Sequence, residues 1–302
     1  MPDDIDVRTR IMPFRSSAIV RRVGDLIATA VIRGDVVHVT GDIQFVALAV
    51  ARRRSIVTMH DCGLAYGPNG MTRRIFRSLW VRRPVRHAGR VVAVSDFTRR
   101  QLVELTGLPV ERIDVIPTTI DDSFTPVPIG DPQRAVPVVL CFAATPNKNV
   151  ERVIEAVTGL RMHLNIVGRL SEATTQRLAA SALSWSNHIG LSDEALRQQY
   201  IEADLVLFPS TYEGFGMPIV EGQATGRPVV TSDRAPMNEV AGGAACLVDP
   251  DDPASIRAGV ERVLNDAVYR RDLVVKGYKN RERFRPEVAA RAYAQIYREM
   301  VG

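Results

Sequence analysis

The stretch that decides the fold is Asp204-Leu-Val-Leu-Phe-Pro-Ser-Thr-Tyr-Glu-Gly-Phe-Gly-Met-Pro-Ile-Val-Glu221, in which a glycine-rich turn follows an apolar run. The apolar run predicts a buried strand of a parallel sheet, because such strands are covered on both faces. Gly214 and Gly216 let the backbone approach a ligand closely, and Pro218 suits the first turn of a helix. Glu213 is therefore expected on a loop, and the glutamate that ends the stretch about one turn into a helix.

This arrangement favours binding of a phosphate beside a polyol. Free N–H groups at a helix start, together with the helix dipole, attract anions. The carboxylates of Glu213 and Glu221 can accept hydrogen bonds from hydroxyls, so that the pair suits a sugar nucleotide. The alternative is ordinary α/β architecture, in which a glutamate near a helix start is only a partner of the dipole.

The stretch resembles the E-x7-E motif of retaining glycosyltransferases of family 4. The usual form of that motif is close to F-P-S-x-x-E-G-F-G-x-P-x-x-E, and residues 208–221 match it at every fixed position. The resemblance covers roughly residues 36–300. It implies an α/β protein of the GT-B fold, in which two doubly wound Rossmann-like domains face each other across a cleft.

Short apolar runs alternate with helical patterns along the chain, which predicts two parallel sheets. The predicted strands are 36–39, 55–58, 90–94 and 114–116 in the first sheet, and 136–142, 162–167, 204–208, 228–231 and 245–248 in the second. The segment 118–132 holds three prolines and little periodicity, so it is the expected linker. We therefore expect an acceptor-side domain at 1–124 and a donor domain at 125–280. By the resemblance, 281–302 is a terminal helix that returns toward the first domain.

The second predicted domain opens with Cys141-Phe-Ala-Ala-Thr-Pro-Asn-Lys-Asn149, a shortened version of the family's strand, loop and lysine. By this resemblance Lys148 neutralises the donor diphosphate, whose charge grows as the glycosidic bond breaks. Asn147 stands where the family usually has an arginine. Arg169 is either the replacement for that arginine or an exposed loop residue.

Further along, residues 188–204 resemble the family segment G-x-V/L-S-D-E-E-L-x-x-x-Y-x-x-A-D. The resemblance implies that the loop around Gly190 and Leu191 lies near the nucleotide base. In the first domain, Thr58-Met-His-Asp61 resembles the turn Thr-x-His-Asp that ends a family strand. It implies that His60 contacts the donor sugar, although a lone histidine at a strand end is often structural.

Family members usually begin with a strand and a glycine-rich loop that help to hold the acceptor. Here the first plausible strand, 7–12, leads to no such loop. The first domain is therefore expected to be shortened at its N-terminus.

Composition bounds the class of protein. The 302 residues are 46% hydrophobic and 24% charged, which is typical of a soluble globular chain. No apolar run approaches a membrane span of about 18 residues, and the acidic start lacks the pattern of a signal peptide, so a cytoplasmic protein is expected.

Cys62, Cys141 and Cys246 lack the spacing of a zinc site or a disulfide framework. We expect them to be core residues, with no metal and no cofactor beyond the donor substrate.

The basic charge lies in the first half. Residues 1–122 carry 19 arginines against 13 acidic residues, whereas the remainder carries 20 basic against 21 acidic residues. The arginine clusters are 52–54, 73–74 and 82–83 with Arg86. They suit peripheral contact with an anionic inner membrane face, or else a solvated arginine surface. Nucleic acid is not expected, because aromatic residues do not alternate with these arginines.

The resemblance implies a retaining hexosyltransferase of polysaccharide biosynthesis. It would move mannose or glucose from a UDP- or GDP-sugar to a glycan, lipid-linked or small-molecule acceptor. Glu221 would bind the ribose, whereas Glu213 and the turn Gly214-Phe215-Gly216 would hold the sugar and phosphate. The alternative class is a non-catalytic donor-binding or complex-forming homologue. A nicotinamide dehydrogenase is not expected, because no G-x-G-x-x-G follows a first strand.

Overall fold

The computed structural model describes residues 2, 4–12, 19–66, 75, 77–128 and 136–302. The chain forms two compact units. Unit 1 comprises Met1–Thr118 and Pro286–Gly302, and unit 2 comprises Thr119–Arg285. Residues 119–124 therefore belong to unit 2, where the Phe124 ring packs edge-on against Tyr200 with centroids 5.7 Å apart.

Unit 1 is built on a parallel sheet of four strands in the order β1-β2-β3-β4. The strands are β1 (Val37–Val39), β2 (Ser55–Met59), β3 (Arg90–Ala93) and β4 (Ile113–Val115). These strands lie where the apolar runs predict them, because β-branched residues buried on both faces favour a parallel strand. The expected strand at 7–12 is wrong: this segment forms no strand, since no described strand pairs with it.

Among the described residues, three helices of unit 1 precede unit 2 in the chain. They are α1 (Ile19–Ala30), α2 (Arg83–His87) and α3 (Asp96–Thr106). The Ser95 hydroxyl caps α3 by accepting a 3.1 Å hydrogen bond from the Thr98 amide. These helices, with the turns around them, cover one face of the sheet over an apolar core that includes Val57, Val91 and Leu102.

Unit 2 holds a parallel sheet of six strands in the order β10-β9-β8-β5-β6-β7. The strands are β5 (Val138–Phe142), β6 (His163–Val167), β7 (Ser184–His188), β8 (Leu205–Phe208), β9 (Val229–Ser232) and β10 (Cys246–Val248). The edge strand β7 is the one that the sequence did not predict. The order reverses between β5 and β8, which are neighbours in the sheet although two strands separate them in the chain. Ligands of open parallel sheets bind at such a switch point.

Helices cover both faces of this second sheet. They are α4 (Val150–Val157), α5 (Glu172–Ala180), α6 (Asp193–Glu202), α7 (Met217–Ala224), α8 (Met237–Ala241), α9 (Pro253–Asn265) and α10 (Ala267–Asn280). Ser192 caps α6 by accepting a hydrogen bond from the Ala195 amide. The core beneath the helices includes the buried Val139, Leu164 and Leu205.

The last helix, α11 (Pro286–Val301), belongs to unit 1 and covers the second face of its sheet. Its Ile296 packs with Ile56 and Val92. Beside this apolar contact, the His38 ring exchanges 2.7 Å hydrogen bonds with the Tyr297 hydroxyl and the Thr58 hydroxyl. Burial, assisted by the charge of His60, lowers the pKa of His38 to about 4, so this histidine is neutral at pH 7.

All three cysteines are free and buried, as core residues are expected to be. Burial, with a smaller contribution from the Asp61 charge, raises the pKa of Cys62 to about 12. Burial alone does the same for Cys141. These thiols are therefore protonated side chains of the core. Within the described ranges, no helix is both long and apolar enough to cross a membrane.

Candidate functional site

The candidate site lies at the switch point of unit 2, where the carboxyl ends of β5 and β8 lie side by side. After β5 the chain forms a short 3₁₀ turn, Pro146–Lys148, before α4 begins. After β8 it forms the glycine-rich loop that leads into α7. The two loops carry the lysine and the glutamates that the sequence singles out.

Lys148 and Glu213 are in direct contact. The Lys148 Nζ donates a 2.7 Å hydrogen bond to Oε1 of Glu213, and only 17% and 14% of the two side chains are exposed. The Lys148 ammonium also lies 4.8 Å from the centre of the Phe208 ring. A half-buried cation is therefore held at the end of β5 by a carboxylate and an aromatic face.

Oε1 of Glu213 is saturated with donors. Besides Lys148, the Ser210 hydroxyl donates to it at 2.6 Å and the Asn147 amide at 3.1 Å. In the described part of the chain, no donor reaches the other carboxylate oxygen, Oε2. Oε2 is therefore the oxygen that can accept a hydrogen bond from a ligand hydroxyl.

Asn147 joins the two loops. Its side-chain amide also donates to the Tyr212 carbonyl at 2.7 Å, and its own carbonyl accepts from the Thr211 amide at 2.8 Å. The same carbonyl lies 2.6 Å from the Ser210 hydroxyl, whose single proton it shares with Glu213. At the position where the family usually has an arginine, this chain thus has an uncharged clamp. The hydrogen bonds of Asn147 hold the two loops together and so fix the positions of Lys148 and Glu213.

The start of α7 presents backbone amides. Gly216 precedes the helix with a φ of 107°, a conformation that favours glycine, and a Cβ there would lie 3.1 Å from Cδ1 of Ile219. The amides of Phe215 and Gly216 donate to no acceptor among the described residues. The Phe215 ring is buried edge-on against Phe284, so Phe215 could meet a ligand only through its backbone. Unbonded amides at a helix start are suited to binding an anion.

Glu221 lies one turn into α7 and is held by Tyr200 of α6. The buried Tyr200 hydroxyl donates a 2.5 Å hydrogen bond to Oε2 of Glu221. Burial raises the pKa of Glu221, whereas the Tyr200 hydrogen bond and the Lys148 charge oppose the rise. Burial, followed by the charge of Glu221, raises the pKa of Tyr200 well above its ordinary value. Oε1 of Glu221 has no donor among the described residues.

The remaining predicted residues of unit 2 lie on neighbouring loops. Arg169 is exposed after β6, and no described residue forms a hydrogen bond or ion pair with its side chain. The preceding Gly168 packs closely on the backbone of Ala144, in the loop that leads to Lys148. Gly190, with a φ of 67°, and Leu191 precede α6. The charge of Asp193, at the start of α6, adds a small contribution to the raised pKa of Glu221, since the residues that follow this loop lie near the glutamate.

His60 lies in unit 1, at the carboxyl end of β2. Its ring is exposed, and Nε2 lies 2.6 Å from the Thr40 carbonyl oxygen. The Asp61 carboxylate accepts a 2.7 Å hydrogen bond from the Gly63 amide, so Asp61 orients this turn. The structure thus brings Lys148, Glu213 and Glu221 together within unit 2 and places His60 in the other unit.

Two supporting residues could not be found by reasoning from the sequence. Tyr200 and Ser210 match conserved positions of the family's motifs. The motifs do not indicate that the Tyr200 hydroxyl binds Glu221 or that the Ser210 hydroxyl binds Glu213. Across the described ranges, no group of three or more His, Cys, Asp or Glu side chains is placed to hold a metal ion. A lysine, two carboxylate oxygens and two amides can together bind a ligand that carries both phosphate and hydroxyls.

Both halves of the chain match known glycosyltransferase families. Residues 6–124 match Glycosyltransferase Family 4, and residues 136–266 match Glycosyl transferases group 1. The first match covers the part that holds His60, and the second covers Lys148, Glu213 and Glu221.

Curated relatives are similar over part of their length. The chain is 26% identical to an O-antigen chain mannosyltransferase B of Escherichia coli, over 76% of this chain and 66% of the relative. It is 29% identical to an MMP alpha-(1->4)-mannosyltransferase of Mycolicibacterium hassiacum, over 61% of this chain and 47% of the relative. The chain thus spans about two thirds or less of these relatives.

Solved structures of other glycosyltransferases share the fold. Anabaena HepE, in complex with UDP and glucose, is 18% identical with a TM-score of 0.75, over 93% of this chain and 82% of that one. Sucrose-phosphate synthase from Thermosynechococcus elongatus is 20% identical with a TM-score of 0.74, over 93% and 78%. Since both units are parallel-sheet α/β domains, the expected GT-B fold class is confirmed. The chain belongs to the glycosyltransferases of family 4, the glycosyl transferases of group 1.

Proposed function

We propose that this chain transfers a hexose, mannose or glucose, from a nucleoside diphosphate sugar with retention of anomeric configuration. The acceptor would be a glycan, a lipid-linked sugar or a small molecule. The observation that carries the proposal is the contact of Lys148 with Glu213 at the switch point, beside the amides of Phe215 and Gly216, which have no acceptor in the described ranges. A cation, amides and hydroxyl-binding carboxylates in one place match the parts of a sugar nucleotide.

Lys148 is assigned to the diphosphate. As the glycosidic bond breaks, negative charge grows on the leaving phosphate, and a nearby cation stabilises that charge. The amides of Phe215 and Gly216 support the same phosphate through the start of α7. The donor phosphate would share Lys148 with Glu213, whose Oε1 keeps the hydrogen bonds from Ser210 and Asn147.

The two glutamates are assigned to hydroxyls of the donor. Oε2 of Glu213 would accept from the transferred sugar, and Oε1 of Glu221 from the ribose, since neither oxygen has a donor among the described residues. The loop at Gly190 and Leu191 is assigned to the base, and Arg169 to the outer phosphate. From the family resemblance, His60 remains a predicted contact of the transferred sugar.

The comparisons support the sugar and the nucleotide. Several curated relatives are mannosyltransferases, and HepE was solved with UDP and with UDP-glucose. We propose a UDP- or GDP-sugar as donor and a transfer that requires no metal ion, with Lys148 as the cation at the leaving group. The relatives that act on O-antigen chains support a role in polysaccharide biosynthesis.

The second candidate is a donor-binding homologue without transferase activity. Asn147 favours it, because an uncharged side chain already bound to Glu213 and Tyr212 takes the place of the family's arginine. One fewer cation at the diphosphate would weaken leaving-group stabilisation more than donor binding. Measuring binding and transfer separately distinguishes the two candidates.

The test is ligand-detected NMR of the purified chain with UDP-, GDP-, ADP- and TDP-sugars, followed by assay of transfer and donor hydrolysis with and without EDTA. We expect one sugar nucleotide to bind and to react in EDTA, with the anomeric configuration of the product equal to that of the donor. Binding without turnover would favour the second candidate. An inverted product would contradict retention.

The lysines provide a matched control for the site. Lys148→Met should lower kcat about 10²–10³-fold, as does loss of one charge-stabilising donor in other enzymes. Lys276→Met removes an exposed lysine paired with Asp272 and should leave kcat unchanged. If Lys148→Met behaves like Lys276→Met, the site assignment is wrong.

A further inference from the structure

Arginines gather in unit 1 at the edge of its sheet where the parallel strands begin. An open depression of about 510 Å³ lies there, lined by Ala51, Arg52, Arg53, Gly89 and Arg112. These residues immediately precede β2, β3 and β4. His60, in contrast, lies just after the carboxyl end of β2, so the depression is at the opposite edge of the sheet.

The floor of the depression is made of backbone. The Gly89 amide donates to the Ser55 carbonyl at 2.9 Å, and the Ser55 hydroxyl donates to the Arg52 carbonyl at 3.0 Å. A Cβ on Gly89 would lie 2.4 Å from that Arg52 oxygen, which excludes any larger residue. The Arg112 guanidinium donates to the Gly89 carbonyl at 3.4 Å and is thereby directed along the floor.

The charges around the depression are not neutralised. No described acidic residue forms an ion pair with Arg52, Arg53 or Arg112. The neighbouring Arg90, in contrast, pairs with both Asp114 and Glu299 at 3.1 Å. Three guanidinium groups without a carboxylate, over a rigid floor, have the chemistry of a phosphate site.

An apolar stripe on α1 lies next to these arginines. Val23 and Ile27 of α1, with Val31 just after its last residue, follow one face at intervals of four residues and are 49%, 64% and 73% exposed. Leu26 of the same helix packs against the core of unit 1, and Asp25 and Thr29 are buried with it, so the valines and the isoleucine of the stripe are not the residues that hold α1 to the sheet. The stripe ends beside the arginine turn, because the Arg54 guanidinium donates to the Ile32 carbonyl at 3.3 Å.

We propose that this surface binds the headgroup region of an anionic phospholipid bilayer. The arginines of the depression take lipid phosphates, while the stripe on α1 enters the boundary between headgroups and acyl chains. An exposed apolar helix face beside uncompensated arginines is the pattern of a peripheral membrane contact. The proposal does not rest on the donor site of unit 2, and either can fail without the other.

The test is sedimentation of the full chain with vesicles of phosphatidylcholine alone or mixed with phosphatidylglycerol. We expect binding only to the mixed vesicles, and weaker binding at high salt. The double variant Arg52→Glu/Arg53→Glu should lower the partition coefficient at least about tenfold, since each basic residue at an anionic surface changes it about fivefold. Ile27→Ser/Val31→Ser should also lower it.

Matched controls come from unit 2. Arg161→Glu/Arg271→Glu makes the same change in net charge at two exposed arginines without described partners, and Val268→Ser/Val275→Ser removes two exposed valines. Both should leave vesicle binding unchanged. Equal losses in the variants and in these controls would overturn the proposal.

Other occupants of the surface give different results. Binding of inorganic phosphate by wild type but not by Arg112→Gln, without binding to vesicles, would overturn the membrane proposal in favour of a free anion. An oligomer that Ile27→Ser/Val31→Ser dissociates, again without vesicle binding, would overturn it in favour of a second copy of the chain. Sugar-nucleotide binding, measured on every variant, reports whether the donor site is intact.

Discussion

The Tyr200 hydroxyl donates a 2.5 Å hydrogen bond to the carboxylate of Glu221, and this bond joins α6 to α7 beneath the proposed ribose site. The Glu221 side chain is half-buried, and the remaining carboxylate oxygen has no donor among the described residues. An ionised group in this position is costly until a ligand hydroxyl approaches it. We therefore expect the ionised Glu221 carboxylate to favour donor binding but to lower the free energy of unfolding.

Glu221→Gln should make the folded protein more stable at pH 7.5 and should weaken donor binding. Burial raises the pKa of Glu221, so the folded chain holds its proton to higher pH than the unfolded chain, and stability falls as pH rises through that range. We expect a gain of about 1 kcal/mol, or about 2–4 °C in Tm, that disappears near pH 4. Calorimetry at both pH values measures it. The exposed Glu155→Gln is the control, and a gain no larger than this control contradicts the prediction.

Tyr200→Phe should change the pH dependence of donor binding. The ring keeps its packing against Phe124 and Phe142, but the carboxylate of Glu221 loses its only described donor, so the pKa of Glu221 should rise further. We expect nucleotide affinity to fall about tenfold, because a hydrogen bond to a charged group contributes about 1.5–3 kcal/mol. Titrations with UDP or GDP between pH 5 and 8 should show the binding midpoint at higher pH. An unchanged midpoint would show that Tyr200 is only a packing residue.

Gly216→Ala should damage the start of α7. Its φ of 107° is unfavourable for alanine, and the new Cβ would press on Ile219, so we expect destabilisation of about 1–3 kcal/mol and loss of donor affinity. Gly159→Ala is the matched control, because Gly159 also has a positive φ, 83°, but a Cβ there meets nothing within 4 Å. Thermal unfolding and nucleotide titration should separate the two. Equal losses of nucleotide affinity would contradict a role for the turn.

His38 should make unit 1 less stable as pH falls from about 6.5 to about 4. Its folded pKa of about 4 lies below the ordinary 6.5, so the unfolded chain binds the extra proton in this window. The contribution is on the order of 3 kcal/mol and is fully present above pH 6.5. His38→Gln should flatten the pH dependence, measured by urea unfolding across the window. His87→Gln, which removes a histidine bonded to the Val50 carbonyl, should retain it.

The strands were predictable wherever burial on both faces imposed an apolar run. The strand β7 was not, because Ser184-Trp-Ser-Asn-His188 lies at the edge of its sheet and alternates polar with larger residues. The polar side chains of β7 form hydrogen bonds with the neighbouring strand β6. The His163 ring of β6 lies 2.8 Å from the Ser184 hydroxyl and 2.9 Å from the Ser186 hydroxyl. These hydrogen bonds between side chains of different strands cannot be predicted from a polar stretch of sequence.

The candidate site was predictable in its charged residues and not in their supports. Lys148 and Glu213 each follow an apolar run, which places them at strand ends. That these ends are neighbours depends on the strand order, which reverses between β5 and β8. Asn147 can join the two loops only because the ends of β5 and β8 are neighbours. Its side-chain amide donates to the Tyr212 carbonyl, which is 65 residues away in the chain.

Unit 1 is interrupted in the chain by the whole of unit 2, and this has a consequence for synthesis. The ribosome makes β1–β4 long before α11, whose residues cover Ile56 and Val92. Until α11 emerges, no described helix covers one apolar face of the nascent sheet, and neither Tyr297 nor Tyr293 has reached its partner. Unit 2, which is continuous, can complete its core earlier during translation. The domain made first is thus the last to finish folding.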